Sequence, residues 1–532
     1  MNPPASHAPA AGHPPGFIPL PDPLKRKIRD GIVAFTMAVW SFLRPWTHLL
    51  FDRNRFFHKL PATRVELLAL VVNVLGLALI IWLGIGVWRR SRSKILPLVL
   101  ELLFLGLLVF PADYVRVQYL HLAPGGLGGF LANPVTIPVL VVILTLLLWK
   151  HRLIARSAAL VIGITFPVAL WTLAKTILLC FNVMQLQQCT QAPPPPPLFP
   201  AQEGRPRVLW IIFDETDFRL VYEKRPADTA LPEFDRLRQE SLLADHAFPP
   251  GDSTIISMPA LITGRLLSVV AHDDCDLALT AADTGATTDW SAMPSVFSQA
   301  RELGVNTALV GWYHPYGRLM GGSLNYCSWY AMPGFELARA ATFGGSMQEQ
   351  IASLTGHIDV RRLYINICQE SLNDALSLVA DPTYGLILLH LPPPHAPWVY
   401  LPAGNQFTWL GVGLPAGYFN NLVLADHELG ALRRKMEATG QWDKTWVILG
   451  ADHSWRQSKL YDGIRDHRVP FLVKSPGASQ SIVYSHQFNT VLTHDLILAI
   501  LRGQVTDQAG AAQLLDLGKP DMPVLQLGEG SE

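Results

Sequence analysis

Charge is scarce in this chain. Of its 532 residues, 16% are charged, against about 25% in ordinary soluble proteins. Lysine plus arginine equals aspartate plus glutamate at 42 each, so net charge gives no case for a nucleic-acid partner. Cysteine is rarer still. The chain has five, none in CxxC spacing, which argues against a zinc–cysteine site. Cys180 lies in an apolar run; Cys189, Cys275, Cys327 and Cys368 are scattered. In an exported domain they allow one or two disulfides, with the pairing left open. No internal repeat is visible. Residues 1–23 are rich in proline and alanine and lack the charged start, short apolar run and small-residue cleavage site of a signal peptide. Their composition predicts disorder.

Apolar sequence is abundant, at 50% of the residues, and the longest runs fall in the N-terminal third. Four of them, 65–88, 95–111, 134–149 and 157–181, approach or exceed the roughly 20 residues that cross a bilayer. A fifth stretch, 31–52, is interrupted by Arg44 and Pro45 and reads either as a span or as an amphipathic helix at the interface. Residues 24–181 are thus expected to form a bundle of four or five transmembrane helices. Arg89, Arg90, Arg92 and Lys94 crowd one short loop, and Lys150, His151 and Arg152 another. The positive-inside rule places both in the cytoplasm and the chain after residue 181 outside it. Glu101, inside a span, is either functional or turned to a helix partner.

Five consecutive prolines, Pro193 to Pro197, predict an extended spacer, so residues 182–204 read as a linker. From 205 onward the pattern changes. Continuous apolar runs (VLWIIF 208–213, TALVGW 307–312, YGLILLH 384–390, TWVILG 445–450) alternate with helical stretches at 232–244, 296–303 and 418–439. That pattern predicts an α/β domain over 205–532 with a mainly parallel central sheet.

Polar residues cluster where these strands end, which is where open α/β sheets bind ligands. Asp214 and Glu215 follow the first strand and offer hard oxygens to a divalent cation; a helix cap is the plain alternative. Thr254 stands at the start of a small-residue helix, where the dipole favours a phosphate or a nucleophilic oxygen; a capping turn reads equally well. His390 and His395 flank a rigid proline turn. Asp452 and His453 adjoin at a strand end and can ligate one metal. His467 precedes another apolar strand.

Each signal is weak alone; their order is specific. IIFDET (211–216), LPEFDRL (231–237), STIISMPALITGR (253–265), PSVFSQARELGVNTALVGW (294–312), HLPPPHAPW (390–398), YFNNLVLADHELGALRRKME (418–437), TWVILGADH (445–453) and RVPFLVKSPG (468–477) together resemble the alkaline phosphatase and sulfatase superfamily across most of 205–502. The resemblance implies a sulfatase-like fold and a covalent mechanism. It implies Thr254 as nucleophile, counted back from Thr263, and a metal held by Asp214 or Glu215, Thr254, Asp452 and His453. It implies contacts from His395 and His467 to the transferred group or to a second metal, and His390 joins them as a candidate for binding substrate. Zinc is the expected cation, with manganese as the alternative.

Sulfatases carry Cys or Ser in a CxPxR-like context; Thr254, Ile256 and Met258 stand there instead. The sequence resembles the branch of membrane-anchored phosphoethanolamine transferases and lipoteichoic acid synthases, although the cysteines that bracket the motif in many of the former are absent. His314 and Arg318 loosely resemble the latter's glycerol-phosphate contacts. The implied activity is a phosphotransferase in a bacterial inner membrane, with its catalytic domain periplasmic or extracellular. It would pass a phospholipid head group, phosphoethanolamine or phosphoglycerol, to an envelope glycan or lipid. The alternatives are a phosphodiesterase- or sulfatase-type hydrolase and a degenerate partner in polysaccharide export. Oligomeric state is not legible.

Overall fold

The computed structural model describes residues 22–50, 55–59, 63–93, 95–120, 136–182, 192–200, 204–273, 275–333, 342–354, 360–410 and 412–518. The expected disordered start, up to residue 21, lies outside them. The chain forms two compact units. One comprises Met1–Phe51, Thr63–Asn182 and Ala340–His357; the other comprises Asp52–Ala62, Val183–Arg339 and Ile358–Glu532.

Among the described residues of the first unit, two helices are long and apolar enough to cross a membrane, Arg64–Arg90 and Ile95–Arg116. This is fewer than the four or five expected. Hydropathy alone does not show where a helix breaks. The described parts of the apolar runs at 134–149 and 157–181 fall mainly in one helix, Thr136–Ile164, with non-helical backbone at Lys150, and in a second, Phe166–Phe181. The pair Trp149–Ile164 and Phe166–Phe181 bends by 51°, and counts as a third crossing only if taken as one broken span. Pro167 opens the second helix and cannot continue the ladder of the first. The interrupted stretch 31–52 is split between helices Asp22–Ser41 and Leu43–Leu50.

A capping box starts the helix Arg64–Arg90. Thr63 accepts from the Glu66 amide at 3.2 Å, and Glu66 accepts from the Thr63 amide at 2.8 Å. Within this helix Asn73 donates to Gln350 Oε1 at 2.9 Å, and Gln350 donates to the Glu66 carbonyl at 2.9 Å. The distant helix Phe343–Leu354 thus packs onto a candidate span. Glu101 accepts from Trp88 Nε1 at 2.8 Å and pairs with His151, so its carboxylate faces helix partners.

The second unit is built on an eight-stranded sheet. Its order is Ile482–Tyr484, Leu242–Ala244, Phe471–Lys474, Thr445–Gly450, Arg207–Phe213, Leu386–Leu391, Thr307–Trp312, Tyr326–Tyr330. All neighbours run parallel except Phe471–Lys474, which opposes both of its own. Side chains of the central strand Arg207–Phe213 alternate between two cores. Val208, Trp210 and Ile212 enter one; Leu209, Ile211 and Phe213 enter the other. Both faces are covered, which is why the strand reads as one continuous apolar run. The helix expected over 232–244 ends at Gln239, and Leu242–Ala244 is a strand. A small antiparallel sheet, Leu267–Asp273, Asp276–Ala281 and Thr287–Asp289, was not expected.

The prolines do not hang free. Arg301 donates to the Pro197 carbonyl at 2.7 Å, Asn325 donates to the Pro196 carbonyl at 2.9 Å, and Asn306 is hydrogen-bonded to both backbone groups of Phe199. A proline tract offers only acceptors, and these donors take them up.

Candidate active site

Parallel register brings the polar residues together. Ile212 sits opposite both His390 and Gly450 across the central strand. Asp214, His390 and the Asp452–His453 pair therefore emerge at one edge of three adjacent strands. Thr254 arrives from elsewhere, as first residue of the helix Thr254–Thr263. Gly251 permits that approach: a Cβ there would lie 2.7 Å from Ile256 Cγ2.

All five side chains are buried. The Thr254 hydroxyl lies 3.4 Å from Asp214 Oδ2 and 3.5 Å from His453 Nε2. His390 Nε2 is 3.7 Å from Asp214 Oδ2; His453 Nε2 is 3.7 Å from Asp214 Oδ1 and 3.5 Å from Asp452 Oδ2. The imidazoles are oriented from behind. His453 Nδ1 lies 2.9 Å from the Ser454 carbonyl, to which it donates, and His390 Nδ1 bonds the Tyr316 hydroxyl at 2.8 Å. Each Nε2 is thereby directed inward.

Asp214, His390 and Asp452 offer ligand atoms within 4.8 Å of one another. Asp214 Oδ1, Asp452 Oδ2 and His390 Nε2 are buried without a hydrogen-bond partner among the described residues. Buried polar atoms seldom stay unsatisfied, and carboxylate with imidazole is a donor set for a divalent cation such as zinc or manganese. The residues fit a metal. Electrostatics agree. Burial opposes the charge of Asp214, but His395 first, then His390 and His453, hold its carboxyl below the ordinary range. Burial and then the Asp214 charge push Asp452 upward. Burial opposes the His453 cation, yet Asp452 and Asp214 raise it overall.

The Glu215 carboxylate is held by Arg456. The Glu215 backbone is left-handed, φ 64°, a conformation uncommon outside glycine. Its Oε1 accepts from the Arg456 amide at 3.2 Å and from Arg456 Nε at 3.4 Å, while its own amide donates to Asp452 Oδ1 at 3.0 Å. Of the two adjacent acids, Asp214 joins the cluster by its side chain and Glu215 by its backbone.

The remaining candidates divide. His395 lies against Trp312, ring centroids 5.1 Å apart, and its Nδ1 bonds the Ala396 carbonyl at 2.6 Å. His314 is buried, with Nε2 3.0 Å from the backbone carbonyl of Thr254. Arg318 donates to the backbone carbonyl of Phe56. His467 is half-buried and held below its ordinary range by burial and by Arg465, with Asp252 and Asp466 opposing. Tyr316, Arg456 and Tyr418, whose hydroxyl donates to the Glu215 carbonyl at 3.1 Å, were not singled out from sequence. Tyr316 stands between the two candidates His314 and Arg318, and Tyr418 opens the motif at 418–437; no spacing signal marks Arg456.

Residues 206–502 match the family model described as Sulfatase. Among solved structures, the chain is similar to Ps i-CgsB in complex with k-i-k-neocarrahexaose, at 15% identity over 58% of this chain and 74% of that one, TM-score 0.42. It is similar to the phosphonate monoester hydrolase of Agrobacterium radiobacter, at 13% identity over 60% and 78%, TM-score 0.38. It is also similar to the PsFucS1 sulfatase from Pseudoalteromonas sp., at 15% identity over 59% and 74%, TM-score 0.39. No curated protein matches the chain.

Proposed function

The chain belongs to the sulfatase family, and from that premise we propose that it is a metal-dependent phosphotransferase in which Thr254 carries the transferred group. The donor is a membrane phospholipid, the group is phosphoethanolamine or phosphoglycerol, and the acceptor is a hydroxyl of an envelope glycan or lipid. The observation that carries this reading is the Thr254 hydroxyl, buried at a helix start between Asp214 and His453 at 3.4 and 3.5 Å.

Asp214, His390, Asp452 and His453 would hold the cation, which when bound supplies a Lewis acid that lowers the hydroxyl pKa and offsets phosphoryl charge. The Thr254 oxygen forms a bond to phosphorus as its proton leaves, and the phosphorus–oxygen bond to diacylglycerol breaks. The lipid oxygen departs with the electron pair and takes up a proton. The acceptor hydroxyl then attacks phosphorus, loses its proton, and the Thr254 oxygen leaves with the bonding pair. The apolar helices Arg64–Arg90 and Ile95–Arg116 support a donor drawn from the bilayer in which the chain is anchored, the inner membrane, with the catalytic unit outside the cytoplasm.

The test is intact mass and turnover of the full chain with head-group-labelled phospholipid and a nitrophenyl phosphodiester. Wild type is expected to form a phospho-adduct on Thr254 and to release diacylglycerol; Thr254→Ala is expected to lose both by at least about a thousandfold. Release of the head group to water with no acceptor dependence would make it a hydrolase. Fast sulfate-ester turnover, or full activity in Thr254→Ala, would overturn the reading.

A further inference from the structure

Phe56 and Phe57 stand in sequence between two helices of the first unit, yet both are buried core members of the second. Their segment is tied down on either side. Arg318 donates to the Phe56 carbonyl with its guanidinium 5.8 Å from the Phe56 ring, and the Lys59 ammonium lies 4.7 Å from the Tyr330 ring centroid.

So anchored, both rings press on His314, with centroids 6.1 and 6.2 Å away. Phe57 also meets Tyr313 edge-on at 5.0 Å. Trp290 at 5.0 Å and Tyr316 at 5.7 Å enclose the imidazole further. The caged ring has a definite partner: Nε2 lies 3.0 Å from the Thr254 carbonyl, to which its N–H donates. The helix needs such a tie. Pro259 stands inside it and has no N–H for the Ile255 carbonyl four residues earlier. The turn that bears Thr254 is therefore held by one helical bond fewer than usual.

We propose that residues 55–59 are a positioning element of the reaction site: Phe56 and Phe57 fix the His314 ring, and His314 fixes the backbone of Thr254 and so the aim of its hydroxyl. The inference rests on Thr254 being the nucleophile. It gives a loop between helices of the N-terminal unit a part in the chemistry, with all three residues acting through Thr254.

The test uses the full chain in detergent with His314→Phe, His314→Gln, Phe57→Ala and Phe57→Leu. One readout is amide hydrogen exchange at 254–258, compared with strands 207–213 and 445–450; the other is phosphodiester turnover. His314→Phe and Phe57→Ala are expected to speed exchange at 254–258 about tenfold while the strands keep their protection. They should lower kcat by about tenfold with KM within about twofold, the effect of losing one buried hydrogen bond. His314→Gln, whose amide can donate, and Phe57→Leu, which keeps volume, should restore most of both. Wild-type exchange and kcat in His314→Phe would overturn the proposal. So would loosening of 254–258 and the strands to the same degree, which would mean core packing alone. If wild type turns over no phosphodiester, the nucleophile reading fails separately, and exchange still decides whether the segment holds the helix start.

Discussion

Asp214 and Glu215 are adjacent acids with divergent surroundings, and substitution should separate them. Asp214 faces two imidazoles and the Thr254 hydroxyl; the Glu215 carboxylate is held by Arg456. Asp214→Asn and Asp452→Asn are expected to bring metal content, read by plasma mass spectrometry, to background. Glu215→Gln keeps the acceptor that Arg456 uses and should cost no more than about tenfold in metal affinity, the scale of a supporting contact. Asp452→Asn should have a second signature. In chelator-treated protein it is expected to melt no lower than wild type, and above it if the charge conflict dominates. The asparagine oxygen still accepts from the Glu215 and His453 amides, while the buried like charge beside Asp214 disappears. A fall in melting temperature for that metal-free variant would show that the cluster is a structural ion network.

Asp214, Thr254 and the Asp452–His453 pair could be singled out because their order along the chain survives in motifs, and the structure brings them to one place. What decides between neighbours was not legible. Whether Asp214 or Glu215 turns inward depends on a left-handed residue at the strand end, which residue type does not reveal. His390 reads as one more histidine beside a proline turn until the register opposite Ile212 places it in the cluster. The four long strands were legible from continuous apolar runs, since both faces of the sheet are covered. Leu242–Ala244 was not, because three residues are too few to show a period.

At the scale of elements, helices hold one another by buried acceptors as well as apolar faces. Asp426, in the helix Ala416–Ala438, accepts from the Glu233 and Phe234 amides at 3.0 and 2.9 Å and so caps the start of Pro232–Gln239. Burial, with Glu233 and Asp235 nearby, pushes its carboxyl up to about 7 from 3.8. Below pH 3.8 both folded and unfolded chains carry this proton. Between there and about 7 only the folded chain does, so stability falls as pH rises through that window and the contribution is gone above it. Asp426→Asn keeps the capping oxygen and cannot ionise. Its melting temperature is expected to decline by a few degrees less than that of wild type between pH 5 and pH 8. An equal or steeper decline would mean that the group is ionised in the folded chain throughout.

At the scale of the whole chain, the first of two long apolar helices ends on Arg89 and Arg90, the loop to the second carries Arg92, and the far end of the second is followed closely by Tyr119, whose ring lies 6.1 Å from that of Tyr114. Basic residues favour the cytoplasmic side and tyrosines the interface. Under the proposed function the Ser93 loop is expected inside the cell and the unit that uses envelope acceptors outside it. Ser93→Cys and Ser479→Cys, each at an exposed position, test this with a charged, membrane-impermeant maleimide. Among the described cysteines of the catalytic unit, Cys275 is disulfide-bonded and burial pushes the Cys327 thiol up to about 12 and Cys368 higher than usual, so they add little background, the thiolate being the form that reacts. Ser479→Cys is expected to label in intact inverted-free spheroplasts, and Ser93→Cys only after lysis. Labelling of Ser93→Cys from outside would reverse the orientation. Protection of both until lysis would put the catalytic unit in the cytoplasm, out of reach of an envelope acceptor, and would remove the transferase reading even if the metal site and Thr254 behaved as expected.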